Sequence, residues 1–242
     1  MSIDIRFLTL GLASTHCYIV GDTESRQAIV IDPVDQARLI AKTAADAGWD
    51  IKLILATHGH FDHVLASAEL KAITAAAFWI HSGALPHLQR LPQTGLMFTG
   101  ELFPEAAVPD RLLADDNDPI ELGAIRLETL YTPGHAPGHI AYFMREARIV
   151  FGGDCLFSGS VGRTDLPGSD YDTLMRSIFD KLLPLGDEVR VLAGHMDMTT
   201  IGKERATNPF LRAPLLKAAL GLPGAQDWEA FAEVRRRKDG FK

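Results

Sequence analysis

The sequence predicts a layered α/β domain, and three observations carry that prediction. Strand-like and helix-like apolar patterns alternate through the first half of the chain. A run of alternating strands with little helix between them follows in the middle. The composition, 47% hydrophobic and 23% charged over 242 residues, supplies a core large enough for one such domain and is far from that of a disordered chain.

Taken in order, residues 5–10, 17–20 and 28–31 are short apolar stretches bounded by Gly, Asp and Pro, which makes them strands. Residues 34–47 carry apolar side chains at helical spacing and are closed by Gly48. Residues 51–56 are apolar apart from Lys52, the pattern of a largely buried strand. A loop over 57–62 leads to a helix over about 63–75, and 78–81 is a further strand. Residues 92–118 hold Pro, Gly and the acidic run Asp115, Asp116, Asn117, Asp118, and read as a solvated loop before a strand at 120–122. Strands follow at 125–130, 140–144 and 148–151, then an amphipathic helix at 170–183 and a buried strand at 189–192. Two helical stretches, 211–220 and 228–237, flank the Gly-Leu-Pro-Gly turn at 221–224. No short-period repeat or low-complexity linker interrupts the chain. The expected organisation is one domain over 1–205 with a short helical extension over 206–242.

Composition narrows the function. The two cysteines, Cys17 and Cys155, exclude a disulfide scaffold and a cysteine-only metal site, and point to a reducing compartment. The start, MSIDIRFLTL, has neither a basic n-region nor an apolar h-region, and no apolar run approaches the ~20 residues a membrane span needs. A cytoplasmic protein without a membrane partner is expected. The formal charge of −7 argues against nucleic-acid binding, the one basic patch being Arg235, Arg236, Arg237 and Lys238.

The chemistry concentrates in Thr57-His58-Gly59-His60-Phe61-Asp62-His63, directly after a buried strand. In extended chain, side chains two apart point the same way, so His58 and His60 can grip one ion together. The turn into a helix then aims Asp62 and His63 at a neighbouring point. Four such ligands in so short a segment are too many for one tetrahedral ion, and two adjacent divalent metals are the economical reading. Further ligands stand at other strand ends: His135 after Thr132-Pro133-Gly134, Asp154 after Gly152-Gly153, and His195 after Gly194. Each is flanked by glycine, which lets backbone approach a crowded site. Asp154, with two carboxylate oxygens, suits a bridging role.

These residues resemble the metallo-β-lactamase-fold hydrolases, whose five sequence blocks the H-x-H-x-D-H motif, the later His, the Asp and the Gly-His match in order. The resemblance implies a four-layer αββα sandwich with metals at one edge of two facing sheets. It implies a first site of His58, His60 and His135, a second of Asp62, His63 and His195, and Asp154 between them. Zinc is the first choice of metal, with iron or manganese possible at His/Asp donors. A water bridging two such ions ionises near neutral pH and becomes the nucleophile, with Asp62 and Asp154 as the catalytic carboxylates. No Ser or Cys nucleophile is then required, so Ser67 and Ser158 read as structural and Cys155 as a small core hydrophobe facing away from Asp154.

Within that fold the chain is similar to glyoxalase II and its short bacterial relatives, which hydrolyse S-acyl glutathione thioesters such as S-lactoylglutathione. Thr132-Pro-Gly-His-Ala-Pro-Gly-His139, the run from Asp154 to Gly168, and 199–210 carry this likeness. The tail from Phe231 to Phe241 resembles the end of the longer enzymes, where a basic pair meets the glutathione glycine carboxylate. The implied substrate-binding residues are Arg163, Arg235 and Lys238, facing a small anionic thioester. Where the longer enzymes have Lys and Tyr after the bridging Asp, this chain has Arg163 and Asp165. Asp197 stands where they place a Tyr after the last metal His. Arg163 can replace Lys as a carboxylate clamp, but the aspartates cannot replace phenols. Two other readings keep the same motif residues: a mononuclear-iron persulfide dioxygenase, and a broad lactonase or β-lactamase-type hydrolase.

Overall fold

The computed structural model describes residues 2–212. In chain order, β1 (Ile3–Leu10), β2 (Thr15–Asp22), β3 (Gln27–Ile31), α1 (Ala37–Asp46), β4 (Asp50–Leu55), α2 (Phe61–Val64), α3 (Ser67–Thr74), β5 (Ala77–His81), α4 (Leu85–Gln89), α5 (Leu91–Thr99) and β6 (Arg111–Leu113) form the first half. The second half comprises β7 (Ile120–Leu122), β8 (Ile125–Tyr131), β9 (Ile140–Met144), β10 (Ile149–Gly153), β11 (Leu156–Phe157), β12 (Ser160–Val161), α6 (Tyr171–Ser177), β13 (Arg190–Ala193), β14 (Thr199–Thr200) and α7 (Ile201–Thr207). One sheet runs β1-β2-β3-β4-β5-β6 and the other β14-β13-β10-β9-β8-β7, with β11 and β12 a small ribbon beside them. The parallel pairs β3/β4 and β4/β5 are joined by helical crossovers, as parallel strands require.

Period-two alternation assigns every central strand two buried faces. Tyr18, Val20, Ile29, Ile31, Leu53 and Leu55 of the first sheet meet Ile140, Tyr142, Met144, Ile149, Phe151 and Leu192 of the second. The opposite parity of the first sheet, Cys17, Ile19, Ala28, Val30 and Ile54, packs against Ile40, Ala44 and Leu70 of α1 and α3. In the second sheet Ala141, Phe143, Val150 and Val191 pack against Leu174, Met175 and Ile178. Four layers in the order αββα result, as the resemblance implied. No helix among the described residues is long and apolar enough to cross a membrane.

Several elements differ from the sequence reading. The helix expected from residue 63 is two: α2 ends at Val64, and Ala66 gives its N–H to the Pro33 carbonyl (3.0 Å) before α3 begins. The expected loop 92–118 contains most of α5 and all of β6. There Pro92 stands in the first turn and Gly100 closes the helix at φ +78°, so residues taken as loop punctuation are start and stop signals of a helix. The helix expected over 170–183 is regular only to Ser177 and widens over Ile178–Leu182. Helix α7, unforeseen, runs across the boundary expected between residues 205 and 206. From residue 213 that extension lies outside the described residues, together with nearly all of its two expected helices and with Arg235 and Lys238.

Two tyrosines cross the inter-sheet layer in opposite directions. Tyr18 of β2 donates its hydroxyl to the Ala193 carbonyl (2.6 Å), and Tyr142 of β9 donates to the Ala56 carbonyl (2.9 Å). Both rings are buried, and both carbonyls sit directly ahead of segments that carry site residues. Replacing Tyr142 by Phe strands the Ala56 carbonyl in an apolar layer, and a loss of about 1–3 kcal/mol is expected. Urea unfolding of Y142F beside wild type measures it.

Candidate metal centre

The first group of donors is built on the end of β4. Asp32, just past the parallel neighbour β3, accepts the Thr57 N–H (2.7 Å), the Thr57 hydroxyl (2.9 Å) and His63 Nδ1 (2.9 Å). The Thr57 hydroxyl hydrogen is thereby committed, so its oxygen accepts from His58 Nδ1 (3.0 Å). These contacts assign a proton to the Nδ1 of both His58 and His63 and turn each Nε2 inward. Burial opposes protonation of His63, but Asp154, Asp62 and Asp32 hold it well above the ordinary histidine range. His135 is set in the same way, its Nδ1 donating to the Arg163 carbonyl (2.9 Å). His58 Nε2 and His135 Nε2 converge on His60 Nδ1 at 3.0 and 2.9 Å. Burial holds His58 and His135 below the ordinary histidine range and brings His60 down to about 3, so the three rings are neutral. Clustered imidazole nitrogens of this kind are donors for a divalent cation.

The second group combines α2 with the ends of β10 and β13. Asp62 Oδ2 lies 3.3 Å from His195 Nε2 and 3.6 Å from His63 Nε2, and accepts the Thr15 hydroxyl at 2.7 Å. Asp154 lies between the groups, with Oδ1 3.3 Å from His63 Nε2 and Oδ2 3.3 Å from His195 Nε2 and 3.5 Å from His135 Nε2. His63 Nε2 and Asp154 Oδ1 are buried and make no hydrogen bond. Burial opposes the charge on Asp62, but His63 and the hydrogen bonds from His195 and Thr15 bring it down to about 2. Burial likewise opposes protonation of His195, yet Asp154 and Asp62 raise it to about 9. The carboxylates thus call for positive charge at this point. The unsatisfied atoms and the mixed N/O donor set fit a divalent ion there.

The backbone is shaped to let these groups meet. The N–H of Asp154 donates to His139 Nε2 (3.1 Å), and His139 Nδ1 to the Thr132 hydroxyl (2.8 Å). Gly153 has φ +48°, and a Cβ on it would lie 2.6 Å from His139 Nε2 and 2.7 Å from Thr57 Oγ1. A Cβ on Gly194 would strike Asp154 Oδ1. Asp32, Thr57, Thr15 and His139 were missed as functional residues in the sequence. The available signals were an Asp ending the apolar run Ile29-Val30-Ile31 and a second Pro-Gly-His at 137–139.

All seven expected ligands therefore come together, while the expected substrate contacts divide. The Arg163 carbonyl faces His135, but its guanidinium is held bidentately by Asp165, Nε at 2.7 Å and Nη2 at 2.8 Å. Asp197 is exposed beside His195, and Arg235 and Lys238 lie outside the described residues. Cys155 stands in the turn after β10, not in a strand, yet faces the second-sheet core, where burial and the Asp154 charge push its thiol up. Ser67 Oγ accepts the Ala107 N–H (3.0 Å), and Ser158 Oγ accepts Lys203 Nζ (3.2 Å). Asp115 of the acidic run pairs with His81 Nε2 at 2.9 Å.

Comparison with known proteins gives two family matches, "Metallo-beta-lactamase superfamily" over residues 10–195 and "Hydroxyacylglutathione hydrolase C-terminus" over 192–241. Hydroxyacylglutathione hydrolase GloC of Haemophilus influenzae is 36% identical over 212 residues, which cover 87% of this chain and 99% of that protein. BLEG-1, a B3 metallo-beta-lactamase, superposes with a TM-score of 0.79 at 31% identity over 86% of this chain and all (100%) of its own. TTHA1623, solved in a di-iron-bound form, superposes with a TM-score of 0.76 at 37% identity over 85% of this chain and 100% of its own.

Asp32 orients rings in both donor groups, so its loss should be felt by any ion held there. Asp32→Ala is expected to weaken metal affinity about 10–100-fold. Competition against a chromogenic chelator, with circular dichroism to check that the variant is folded, measures the change.

Proposed function

The chain belongs to the metallo-beta-lactamase superfamily, and we propose that within it the protein hydrolyses S-acyl glutathione thioesters, S-lactoylglutathione to lactate and glutathione among them, with two divalent ions. The fold and the His/Asp donor cluster support a metal-dependent hydrolase. The thioester substrate draws its support from the likeness to GloC and to the hydroxyacylglutathione hydrolase C-terminus. The observation that carries the reading is the meeting of three lone-pair imidazoles on one side of Asp154 with Asp62, His63 and His195 on the other.

In this reading His58, His60 and His135 would hold one ion, Asp62, His63 and His195 the other, and Asp154 would serve both. Divalent ions on such donors supply Lewis-acid polarisation of the thioester carbonyl and ionisation of water near neutral pH. The chain contributes orientation and charge. Asp32, Thr57 and the Arg163 carbonyl fix ring tautomers, and Thr15 steadies Asp62 as an anion. Water adds to the acyl carbon, the C–S bond breaks and the sulfur leaves with its electron pair. A thiol of pKa about 8.5 leaves readily as thiolate, so the chemistry needs no strong general acid. Arg163, Arg235 and Lys238 would meet the carboxylates of the glutathione moiety.

Three measurements test this. Elemental analysis is expected to find two ions per chain, zinc in first place, and lower content of both in Asp154→Ala. One ion per chain, unaffected by His195→Ala, would favour the mononuclear dioxygenase instead. S-lactoylglutathione turnover should be abolished by chelation and restored by metal, and Cys155→Ala should keep most of it. An acyl-enzyme trapped on Ser or Cys by mass spectrometry would defeat the mechanism.

A further inference from the structure

The Arg163 side chain offers the fork that a substrate carboxylate would use, yet the fork is already filled. Its Nε and Nη2 each donate to a different oxygen of Asp165, at 2.7 and 2.8 Å, the two-point geometry by which guanidinium recognises carboxylate. The backbone beneath it is fixed. The Arg163 carbonyl accepts His135 Nδ1 at 2.9 Å, and the neighbouring Gly162 N–H donates to the Cys155 carbonyl at 3.2 Å. The Arg163 main chain therefore stands at the rim of the donor cluster, and its fork is carried from there. Both side chains are open to solvent, 55% and 63% exposed, so a carboxylate from solution can reach the pair and compete for it. Asp165 is only two residues away, and the short tether makes it a persistent competitor.

We propose that Asp165 is a specificity-determining residue: its carboxylate occupies the Arg163 fork as an internal stand-in for a substrate carboxylate, and so tunes the protein against thioesters with anionic tails. The inference rests on the thioester-hydrolase reading above and concerns which thioesters the centre prefers. An exposed pair of this kind contributes a factor of up to about five in an equilibrium. That factor is what a glutathione carboxylate must overcome to take the fork. Asp197, two residues past His195, is exposed and negatively charged as well.

The test compares S-lactoylglutathione with S-lactoyl-N-acetylcysteamine, which presents the same scissile bond without carboxylates. Asp165→Asn is expected to lower KM for S-lactoylglutathione about two- to fivefold with kcat unchanged, raising the ratio of kcat/KM between the two substrates by the same factor. Asp165→Glu, which keeps the carboxylate, should hold the wild-type ratio. Adding Arg163→Ala to Asp165→Asn should remove the gain. An unchanged ratio in Asp165→Asn, or an equal change on both substrates, overturns the proposal. Calorimetric titration with glutathione needs no turnover and separates the two readings. Tighter glutathione binding by Asp165→Asn in a protein that cleaves neither thioester would sink the thioester-hydrolase reading and uphold the role of Asp165. Glutathione affinity that is the same in both proteins would overturn that role whatever the turnover.

Discussion

The candidate centre depends on a buried carboxylate that touches none of the convergent nitrogens. Asp32 accepts three hydrogen bonds, from the Thr57 amide, the Thr57 hydroxyl and His63 Nδ1, and through Thr57 it also orders His58. One anion thereby decides where the protons sit on rings of both donor groups. Without it each imidazole would be free to turn its protonated nitrogen inward, where it repels a cation. Asp32 can act on both because β3 and β4 are parallel neighbours, so their C-terminal ends deliver Asp32 and the Thr57–His63 segment to the same edge. The sheet topology and the proton positions are thus one constraint seen at two scales.

That coupling explains what the sequence displays and what it hides. His58, His60, Asp62 and His63 announce themselves by density, because four donors in six residues have little reason to coincide in a structural segment. His135, Asp154 and His195 are legible as donors after apolar runs with glycine beside them. The four layers follow from strand parity once the strands are placed. The supporting residues carry no such mark: Thr15 and Asp62 are 47 positions apart, Asp32 and His63 31 apart, and each is an ordinary polar residue at a strand end. Only the folded chain shows that they meet. Helix α5 was hidden for another reason, since Pro92, Gly95 and Gly100 look like breakers until their places within the helix are known.

Charge sets the tone of the rim as hydrogen bonding sets that of the centre. The chain carries a formal −7, Arg163 is neutralised by Asp165, and Asp197 is exposed beside His195. The segment matched to the hydroxyacylglutathione hydrolase C-terminus, 192–241, holds the chain's densest run of positive charge, Arg235, Arg236, Arg237 and Lys238. In the sequence this basic run begins 40 positions beyond His195, the last of the donors.

The crossed tyrosines have a geometric consequence. Ala56 lies two residues before His58 and Ala193 two before His195, and each carbonyl is bonded by a hydroxyl rooted in the opposite sheet. Facing sheets stand about 10 Å apart, a spacing set by the side chains between them. The pair ties the two donor-bearing segments across that layer, so its thickness bears on the span between His58 and His195. A change in the volume of Phe151, whose ring packs 5.3 Å from that of Tyr18, would act on that span without altering any donor residue. Core packing in this fold is therefore a dial on the chemistry as well as a support for it.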